Sequence, residues 1–177
     1  MNPPAARLFF ALWPAPEVAQ ALDAGWTAAA HAHCGGRRMR PDTLHLTLAF
    51  LGAVEPARIA PLSALTGALH VPPGEIQLSQ YGRFERASVV WAGPDAADGA
   101  LNSLHDKLWQ ALGDLGWPVP AQPFRPHVTL LRDTRVAPPS PPAPLVWRYD
   151  RCVLVRSEPG RGARYHVIAQ SGSGIPD

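Results

Sequence analysis

The chain has 177 residues, of which 46% are hydrophobic and 17% are charged. This size and composition predict one folded domain and exclude an intrinsically disordered protein. The formal net charge is only +2, so bulk positive charge gives no reason to expect nucleic-acid binding.

The cysteines and the hydrophobic runs indicate a compartment. Cys34 and Cys152 form no CxxC pair and no disulfide framework, which favours a reducing, cytoplasmic setting. No apolar run approaches the length of a membrane span. The run LFFALW after Arg7 resembles a short signal peptide. Because Pro14 ends this run and Glu17 follows it, we interpret it as a buried strand.

The N-terminal part predicts a strand, a helix and a basic turn. The strand covers residues 7–14. A helix should follow from about residue 15, because Pro16 suits a first helical turn, and the glycine pair at 35–36 should end it. The next segment is expected to be a solvated loop, although its basic side chains could face a phosphate. These side chains are Arg37, Arg38 and Arg40.

Residues 45–50, HLTLAF, predict a strand with two different faces. Successive side chains of a strand point to opposite faces, so His45 and Thr47 share one face. The other face is aliphatic and consists of Leu44, Leu46 and Leu48. Such a strand can bury its leucines in a core and present an imidazole and a hydroxyl in a cleft.

The middle of the chain predicts a helix, a hairpin and another helix. The first helix spans roughly residues 56–69, and residues 75–84 and 87–93 then form the two strands of a hairpin. The next helix can be capped by Asp95 or Asp98. Its apolar stripe consists of Leu101, Leu104, Leu108 and Leu112.

The pattern of HLTLAF returns at residues 127–132, HVTLLR. His127 and Thr129 share one strand face, and aliphatic residues alternate with them. Arg132 stands five residues after His127. This odd spacing turns Arg132 to the opposite face unless the strand end bends.

The C-terminal part predicts two more strands, over residues 145–157 and 163–170. The element order is strand, helix and HxT strand, followed by hairpin, helix and HxT strand. This order predicts an α+β fold of two similar lobes, with one HxT motif in each half, at 45–47 and 127–129. We expect residues 1–177 to form a single domain of two lobes.

Two histidines that face one cleft can act as an acid and a base. Free imidazole titrates near pH 6.5, so one of His45 and His127 can be neutral while the other is protonated. The hydroxyls of Thr47 and Thr129 can donate hydrogen bonds to phosphoryl oxygens, and Arg132 can offset negative charge. The chemistry that uses all five side chains is metal-independent transfer at a phosphodiester.

A metal site is an alternative use for paired histidines. Neither HxT motif has a carboxylate or a cysteine at ligand spacing, and threonine is a poor ligand. His31 and His33 beside Cys34 resemble a ligand cluster, but their i, i+2 spacing near a helix end does not face one point. We therefore expect neither a metal nor a cofactor.

The runs RLFFALWP, HLTLAFLG and FRPHVTLLR resemble the 2H phosphoesterase superfamily, and within it the RNA 2′,3′-cyclic phosphodiesterase branch, also called 2′-5′ RNA ligases. The resemblance extends from about Arg7 to Tyr165. It implies a bilobal fold with two pseudo-symmetric antiparallel sheets, flanking helices and a central active-site cleft. It also implies hydrolysis of 2′,3′-cyclic phosphate ends to 2′-phosphomonoesters, with 2′-5′ ligation as the reverse type of reaction. The expected partners are RNA or oligonucleotide ends, and we expect a monomer without a membrane segment.

The resemblance also implies roles for individual residues. His45 and His127 are the catalytic pair. We write His127 as the base on water and His45 as the acid on the departing 3′ oxygen, although the near symmetry of the two halves leaves the direction open. The phosphate is surrounded by Thr47, Thr129 and Arg132.

Recognition of a base calls for an aromatic surface, because single-stranded RNA is held by stacking. Tyr165 is the first candidate, since the family places an aromatic residue in this late strand. Phe9 and Tyr149 are further candidates.

Two alternative functions stay open. One is a non-catalytic module that holds nucleotides or RNA ends, against which the two intact HxT motifs argue. The other is a 2H enzyme for another small cyclic phosphate, such as a cyclic nucleotide, ADP-ribose 1″,2″-cyclic phosphate or a 2′-5′ oligonucleotide. The residues do not separate these substrates.

Overall fold

Ten strands and four α-helices make up the part of the chain that the computed structural model describes, residues 5–96, 98–158, 162 and 164–172. The strands are β1 (Ala6–Leu12), β2 (Arg37–Arg38), β3 (Leu46–Val54), β4 (Gly74–Leu78), β5 (Gln80–Phe84), β6 (Val89–Gly93), β7 (Val128–Arg132), β8 (Leu145–Tyr149), β9 (Val153–Glu158) and β10 (Arg164–Gln170). The helices are α1 (Pro16–Leu22), α2 (Ala28–Cys34), α3 (Ile59–Ala68) and α4 (Gly99–Asp114). Within this part, no helix is both long and apolar enough to cross a membrane.

The larger sheet is antiparallel and has two halves that meet at the HxT strands. Its order is β10-β9-β1-β3-β7-β6-β5, and β2 pairs with β7 beside this path. Strands β3 and β7 are joined at one residue pair, Leu46 with Val128. The predicted α+β fold with antiparallel strands is confirmed. The two expected sheets are joined into one, and the ladder between β3 and β7 consists of this one pair.

Strand β1 lies between β9 and β3 and is covered on both faces. Leu8, Phe10 and Leu12 point into the main core, which spans both halves of the sheet. Phe9 and Ala11 point the other way and pack in a smaller cluster with Val153 and Val155. This double burial explains why the run has no polar alternation.

The predicted N-terminal helix is present, and a π-helical segment at Asp23–Thr27 connects α1 to α2. It ends at two glycines with positive φ, Gly35 at 64° and Gly36 at 82°. A Cβ on Gly36 would lie 2.6 Å from the carbonyl oxygen of Arg132, so only glycine lets the chain pass this close to β7.

The predicted loop at 37–40 is wrong in part, because Arg37 and Arg38 form the short strand β2. They pair with Arg132 and Leu131 of β7. A two-residue strand carries too little pattern to be read from the sequence, and here the close passage at Gly36 sets the pairing.

Two predicted strands are each divided in the structure. Residues 75–84 form β4 and β5, separated at Ser79, and residues 145–157 form β8 and β9. Strands β4 and β8 pair with each other in a separate two-stranded sheet, whereas β5 and β6 form the predicted hairpin. Each predicted strand is interrupted at the point where the strand it pairs with changes. Hydrophobic alternation in the sequence does not show which strands pair with each other.

Helix α4 follows its sequence pattern closely. The carboxylate of Asp98 accepts a hydrogen bond from the backbone N–H of Leu101 at 2.9 Å, so Asp98 is the cap. All members of the predicted stripe are buried: Leu101, Leu104, Leu108 and Leu112.

Candidate active site

The junction of β3 and β7 brings the two HxT motifs together. Because the strands are antiparallel and Leu46 pairs with Val128, the register sets His45 opposite Thr129 and Thr47 opposite His127. The pairing stops after this one contact, so the strands diverge on either side of it. Leu46 and Val128 are fully buried, and the histidines and threonines occupy the opposite face, as their alternation predicts.

A β-bulge explains how Arg132 joins the same cleft as Thr129. Along β7, Thr129 pairs with Trp91 and Leu131 with Val90, which leaves Leu130 as an extra residue. A bulge shifts the alternation by one position. Leu130 and Leu131 are therefore both fully buried, and Arg132 returns to the cleft face at an odd distance from His127.

Strand β3 also contains a β-bulge. Thr47 pairs with Ala11 and Ala49 with Phe10, so Leu48 is the extra residue. The indole N–H of Trp109 donates to the carbonyl of Leu48 at 3.3 Å.

The bulge places Phe50, five residues after His45, in the position that Arg132 holds after His127. Phe50 is 56% exposed, and its ring lies 5.6 Å from the guanidinium of Arg7. Phe50 is not among the predicted site residues, although its matched spacing from the histidine is visible in the two motifs.

A cavity of about 380 Å³, here called the histidine cavity, lies at this junction. Its lining includes the six predicted site residues His45, Thr47, His127, Thr129, Arg132 and Tyr165. The other lining residues are Arg7, Phe9, Met39, Thr43, Phe50 and Ser157.

Each imidazole is held by the backbone two residues before it. Nδ1 of His45 lies 2.7 Å from the carbonyl oxygen of Thr43, and Nδ1 of His127 lies 2.8 Å from that of Arg125. A carbonyl oxygen only accepts hydrogen bonds, so each Nδ1 carries a proton. In the neutral state, Nε2 of each ring therefore bears the lone pair that can receive a proton.

His45 sits in a cluster of three aromatic rings. Trp13 stacks on it at 4.8 Å with an angle of 10°, Phe9 is tilted at 4.9 Å, and Tyr165 meets it edge-on at 5.3 Å. Burial among these rings lowers the pKa of His45 to about 4, and the charges of His127 and Arg132 act in the same direction. The hydrogen bond to the backbone opposes this shift and does not outweigh it.

His127 has a different neighbourhood. Phe84 meets its ring edge-on at 4.9 Å, and Trp91 lies at 5.9 Å. Burial also lowers the pKa of His127, with smaller contributions from the charges of Arg125 and Arg132. Both imidazoles therefore favour the neutral form in the free protein.

The three predicted stacking candidates lie in different places. Tyr165 lines the histidine cavity, and burial raises the pKa of its phenol, which the charges of Arg132 and Arg40 partly oppose. Phe9 also lines this cavity but is almost completely buried, and Tyr149 is buried in the main core.

The basic segment 37–40 does not line the histidine cavity with its arginines. Its basic side chains form ion pairs with nearby carboxylates: Arg37 with Asp133 at 3.2 Å, Arg38 with Asp23 at 2.9 Å and Arg40 with Asp42 at 3.2 Å. The charge of Arg40 nevertheless acts on Tyr165, so Arg40 lies near the wall of the histidine cavity.

No three metal-ligating side chains cluster in the described ranges. His31, His33 and Cys34 form no such group. Both cysteines, Cys34 and Cys152, are free and buried.

The fold and the paired HxT strands define a phosphoesterase of the two-histidine class. A model of the 2′-5′ RNA ligase superfamily matches residues 14–160. The chain is 36% identical over 143 residues to the RNA 2′,3′-cyclic phosphodiesterase of Escherichia coli K12, covering 81% of each protein. It is 33% identical over 174 residues to the enzyme of the same name from Thermus thermophilus, covering 92% of this chain and 87% of that one. The crystal structure of E. coli LigT complexed with 3′-AMP superimposes with a TM-score of 0.82 at 33% identity, covering 95% of this chain and 97% of that chain. The chain belongs to the 2′-5′ RNA ligase superfamily.

Proposed function

We propose that this protein is an RNA 2′,3′-cyclic phosphodiesterase that hydrolyses 2′,3′-cyclic phosphate ends to 2′-phosphomonoesters. The observation that carries this proposal is the pair of imidazoles, each with its Nδ1 proton fixed by a backbone carbonyl, in one cavity with Arg132. The names of the E. coli and T. thermophilus relatives support the same reaction. The bound 3′-AMP of E. coli LigT supports a nucleotide substrate. Ligation with a 2′-5′ linkage is the reverse type of reaction for the same groups.

The reaction needs one base and one acid. A neutral imidazole takes a proton from water through Nε2 as the water oxygen attacks phosphorus. The bond between phosphorus and the 3′ oxygen then breaks, and the other imidazole, as imidazolium, protonates that oxygen. The products are a 2′-phosphomonoester and a free 3′ hydroxyl, so no metal or redox partner is required.

The neighbourhoods of the histidines favour His45 as the base and His127 as the acid. The three rings around His45 make its protonation the more costly of the two, and only His45 has a pKa lowered as far as about 4. Because a bound phosphate raises the pKa of both imidazoles, the more easily protonated His127 becomes the acid. This assignment reverses the one written from the sequence, which left the direction open.

The remaining side chains surround the phosphoryl group. The hydroxyls of Thr47 and Thr129 donate to its non-bridging oxygens, and Arg132 offers two parallel N–H groups to the charge that develops there. Tyr165 packs against the His45 ring, with the ring centroids 5.3 Å apart.

We propose that residues 1–177 act as a single domain of two lobes and as a monomer. Both HxT strands come from one chain, so a monomer is sufficient to form the site. The enzyme is cytoplasmic, and it uses no metal or other cofactor. The two free, buried thiols of Cys34 and Cys152 support a reducing compartment.

The test is incubation with RNA that ends in a 2′,3′-cyclic phosphate, with EDTA present, followed by identification of the phosphate position. We expect a 2′-phosphate product from the wild type and from the control His33→Ala, which removes an exposed histidine outside the histidine cavity. His45→Ala and His127→Ala should remain folded and lose hydrolysis by at least about a hundredfold. Loss of activity with EDTA, or full activity of either variant, contradicts the scheme.

The same assay separates the alternatives. A non-catalytic module would bind the RNA end without turnover. An enzyme for another small cyclic phosphate would turn over a cyclic nucleotide or ADP-ribose 1″,2″-cyclic phosphate with a higher kcat/KM than the RNA end.

A further inference from the structure

A second and larger cavity opens on the His127 side of the histidine cavity. This cavity, here called the aromatic groove, has a volume of about 1020 Å³ against about 380 Å³ for the histidine cavity. It runs between the β5–β6 hairpin, α4 and residues 120–127. The two cavities share Thr47, Phe50 and His127, so they are continuous at the point proposed to hold the phosphate.

Several aromatic side chains line the groove. Phe50 stands at the junction and exposes more than half of its surface, although phenylalanine is usually buried. Phe124 is partly exposed further along, where its ring stacks on His105 at 4.0 Å with an angle of 11°. Rings at such positions provide the flat surfaces on which unpaired bases stack.

The groove also has a cation along its wall. Arg125 lines it and is exposed, and Asp95 is the carboxylate in the same lining. Arg83 also belongs to the lining, but its charge acts on Cys34, so its guanidinium lies on the other face of β5. The charge of Arg125 lowers the pKa of His127, so its guanidinium lies near the proposed phosphate site. Stacking surfaces beside backbone-neutralising cations are the usual elements of a single-strand binding groove.

The His45 side of the histidine cavity is narrower and is lined by Phe9 and Tyr165. Phe9, Trp13 and Tyr165 pack around His45 and against one another, with ring centroids 5.4 Å apart for Phe9 and Tyr165 and 5.6 Å for Trp13 and Tyr165. A polynucleotide joined to the terminal nucleoside therefore has room on the His127 side.

We propose that the aromatic groove binds the single-stranded nucleotides joined to the 2′,3′-cyclic phosphate terminus. Their bases lie against Phe50 and Phe124, and a phosphate lies near Arg125. This inference rests on the proposed function and extends it from the reacting phosphate to the strand. The preferred substrate is then an oligonucleotide rather than a cyclic mononucleotide.

The first test compares kcat/KM for cytidine 2′,3′-cyclic phosphate with kcat/KM for oligocytidylates of increasing length that end in the same cyclic phosphate. We expect kcat/KM to rise roughly tenfold for each base that stacks and then to level off once the groove is filled. Phe124→Ala should lower the value for the long substrate by roughly tenfold and leave the mononucleotide unchanged. Arg125→Gln should lower the value for the long substrate more than the value for the mononucleotide.

Two variants outside the groove serve as matched controls. Trp117→Ala removes an aromatic ring that stacks under Arg58 at 3.8 Å, and Arg148→Gln removes an exposed arginine that pairs with Glu75 at 3.1 Å. Both should keep the length dependence of the wild type. If Phe124→Ala fails to fold, Phe124→Leu keeps an apolar side chain but not the aromatic face, and it should show the same selective loss.

The outcomes separate this inference from the proposed function. Turnover that is independent of substrate length contradicts strand binding in the aromatic groove but not the proposed hydrolase activity. An equal loss on short and long substrates in both Phe124 variants has the same meaning. If no cyclic substrate is turned over, the proposed hydrolase activity is refuted. Strand binding in the aromatic groove is then tested by measuring the binding of an oligocytidylate with a 2′-phosphate end. Fluorescence anisotropy should then show weaker binding by Phe124→Leu, and equal or absent binding overturns the inference.

Discussion

Removing Trp13 should raise the pKa of His45. Burial is the main cause of the low pKa of His45, about 4. The Trp13 indole stacks on one face of the imidazole, with the ring centroids 4.8 Å apart. Three rings share the enclosure, so Trp13→Ala should undo about a third of the shift from 6.5 and bring the pKa to about 5. If neutral His45 is the base, the acidic limb of kcat/KM moves by the same amount toward higher pH.

An NMR titration measures this change directly. The ring resonance of His45 is assigned by its absence in His45→Asn, and kcat/KM is measured over the same pH range. Trp117→Ala removes a tryptophan elsewhere and should leave the titration unchanged. A cation–π interaction would have the opposite effect. The Trp13 indole would stabilise protonated His45 by about 0.5–2 kcal/mol, so removal of Trp13 would lower the pKa of His45. An unchanged or lower pKa in Trp13→Ala therefore refutes burial as the dominant cause.

Three further predictions concern the phosphate, the pH dependence of stability and the sheet. Arg132→Gln should lower kcat by roughly a hundredfold, whereas Arg37→Gln, which alters the exposed neighbour of Arg132 across the ladder, should leave kcat near the wild-type value in steady-state assays. Because the pKa of His45 is lower in the folded state than in the unfolded chain, its contribution to the free energy of unfolding is complete above about pH 6.5. It should fall by about 3 kcal/mol toward pH 4, and urea titrations should show a smaller fall for His45→Asn. Gly82→Ala places a Cβ 2.0 Å from the Trp91 ring and should destabilise the fold by about 1–3 kcal/mol, measured by urea unfolding.

The alternation of the HxT strands is the part of the site that the sequence predicts well. A period of two is a property of any strand, so the shared face of His45 and Thr47 follows once the strand is recognised. The meeting of the two motifs does not follow from either one alone. It depends on the register of Leu46 with Val128, which the long-range packing of both halves sets.

The position of Arg132 does not follow from the alternation of side chains along a regular strand. Strict alternation directs it into the core, and only the extra residue at Leu130 returns it to the cleft. A bulge is a property of the pairing between two strands, and a single strand in sequence does not display it. The exposure of Phe50 has the same origin, since the extra residue at Leu48 shifts β3 in the same way.

A substrate with sulfur in place of the 3′ bridging oxygen tests which histidine is the acid. The two motifs are alike in sequence, so the difference between the imidazoles comes from their neighbours, the rings around His45 and the open groove beside His127. A thiolate leaves without protonation near neutral pH, since a thiol has a pKa of about 8.5. Removal of the acid should then lower the turnover rate only slightly. Removal of the base should lower the turnover rate as much as it does with the oxygen substrate. We expect the sulfur substrate to restore turnover in His127→Ala and not in His45→Ala. Rescue of His45→Ala alone would assign the acid to His45, and equal rescue of both would mean that neither imidazole has a fixed role.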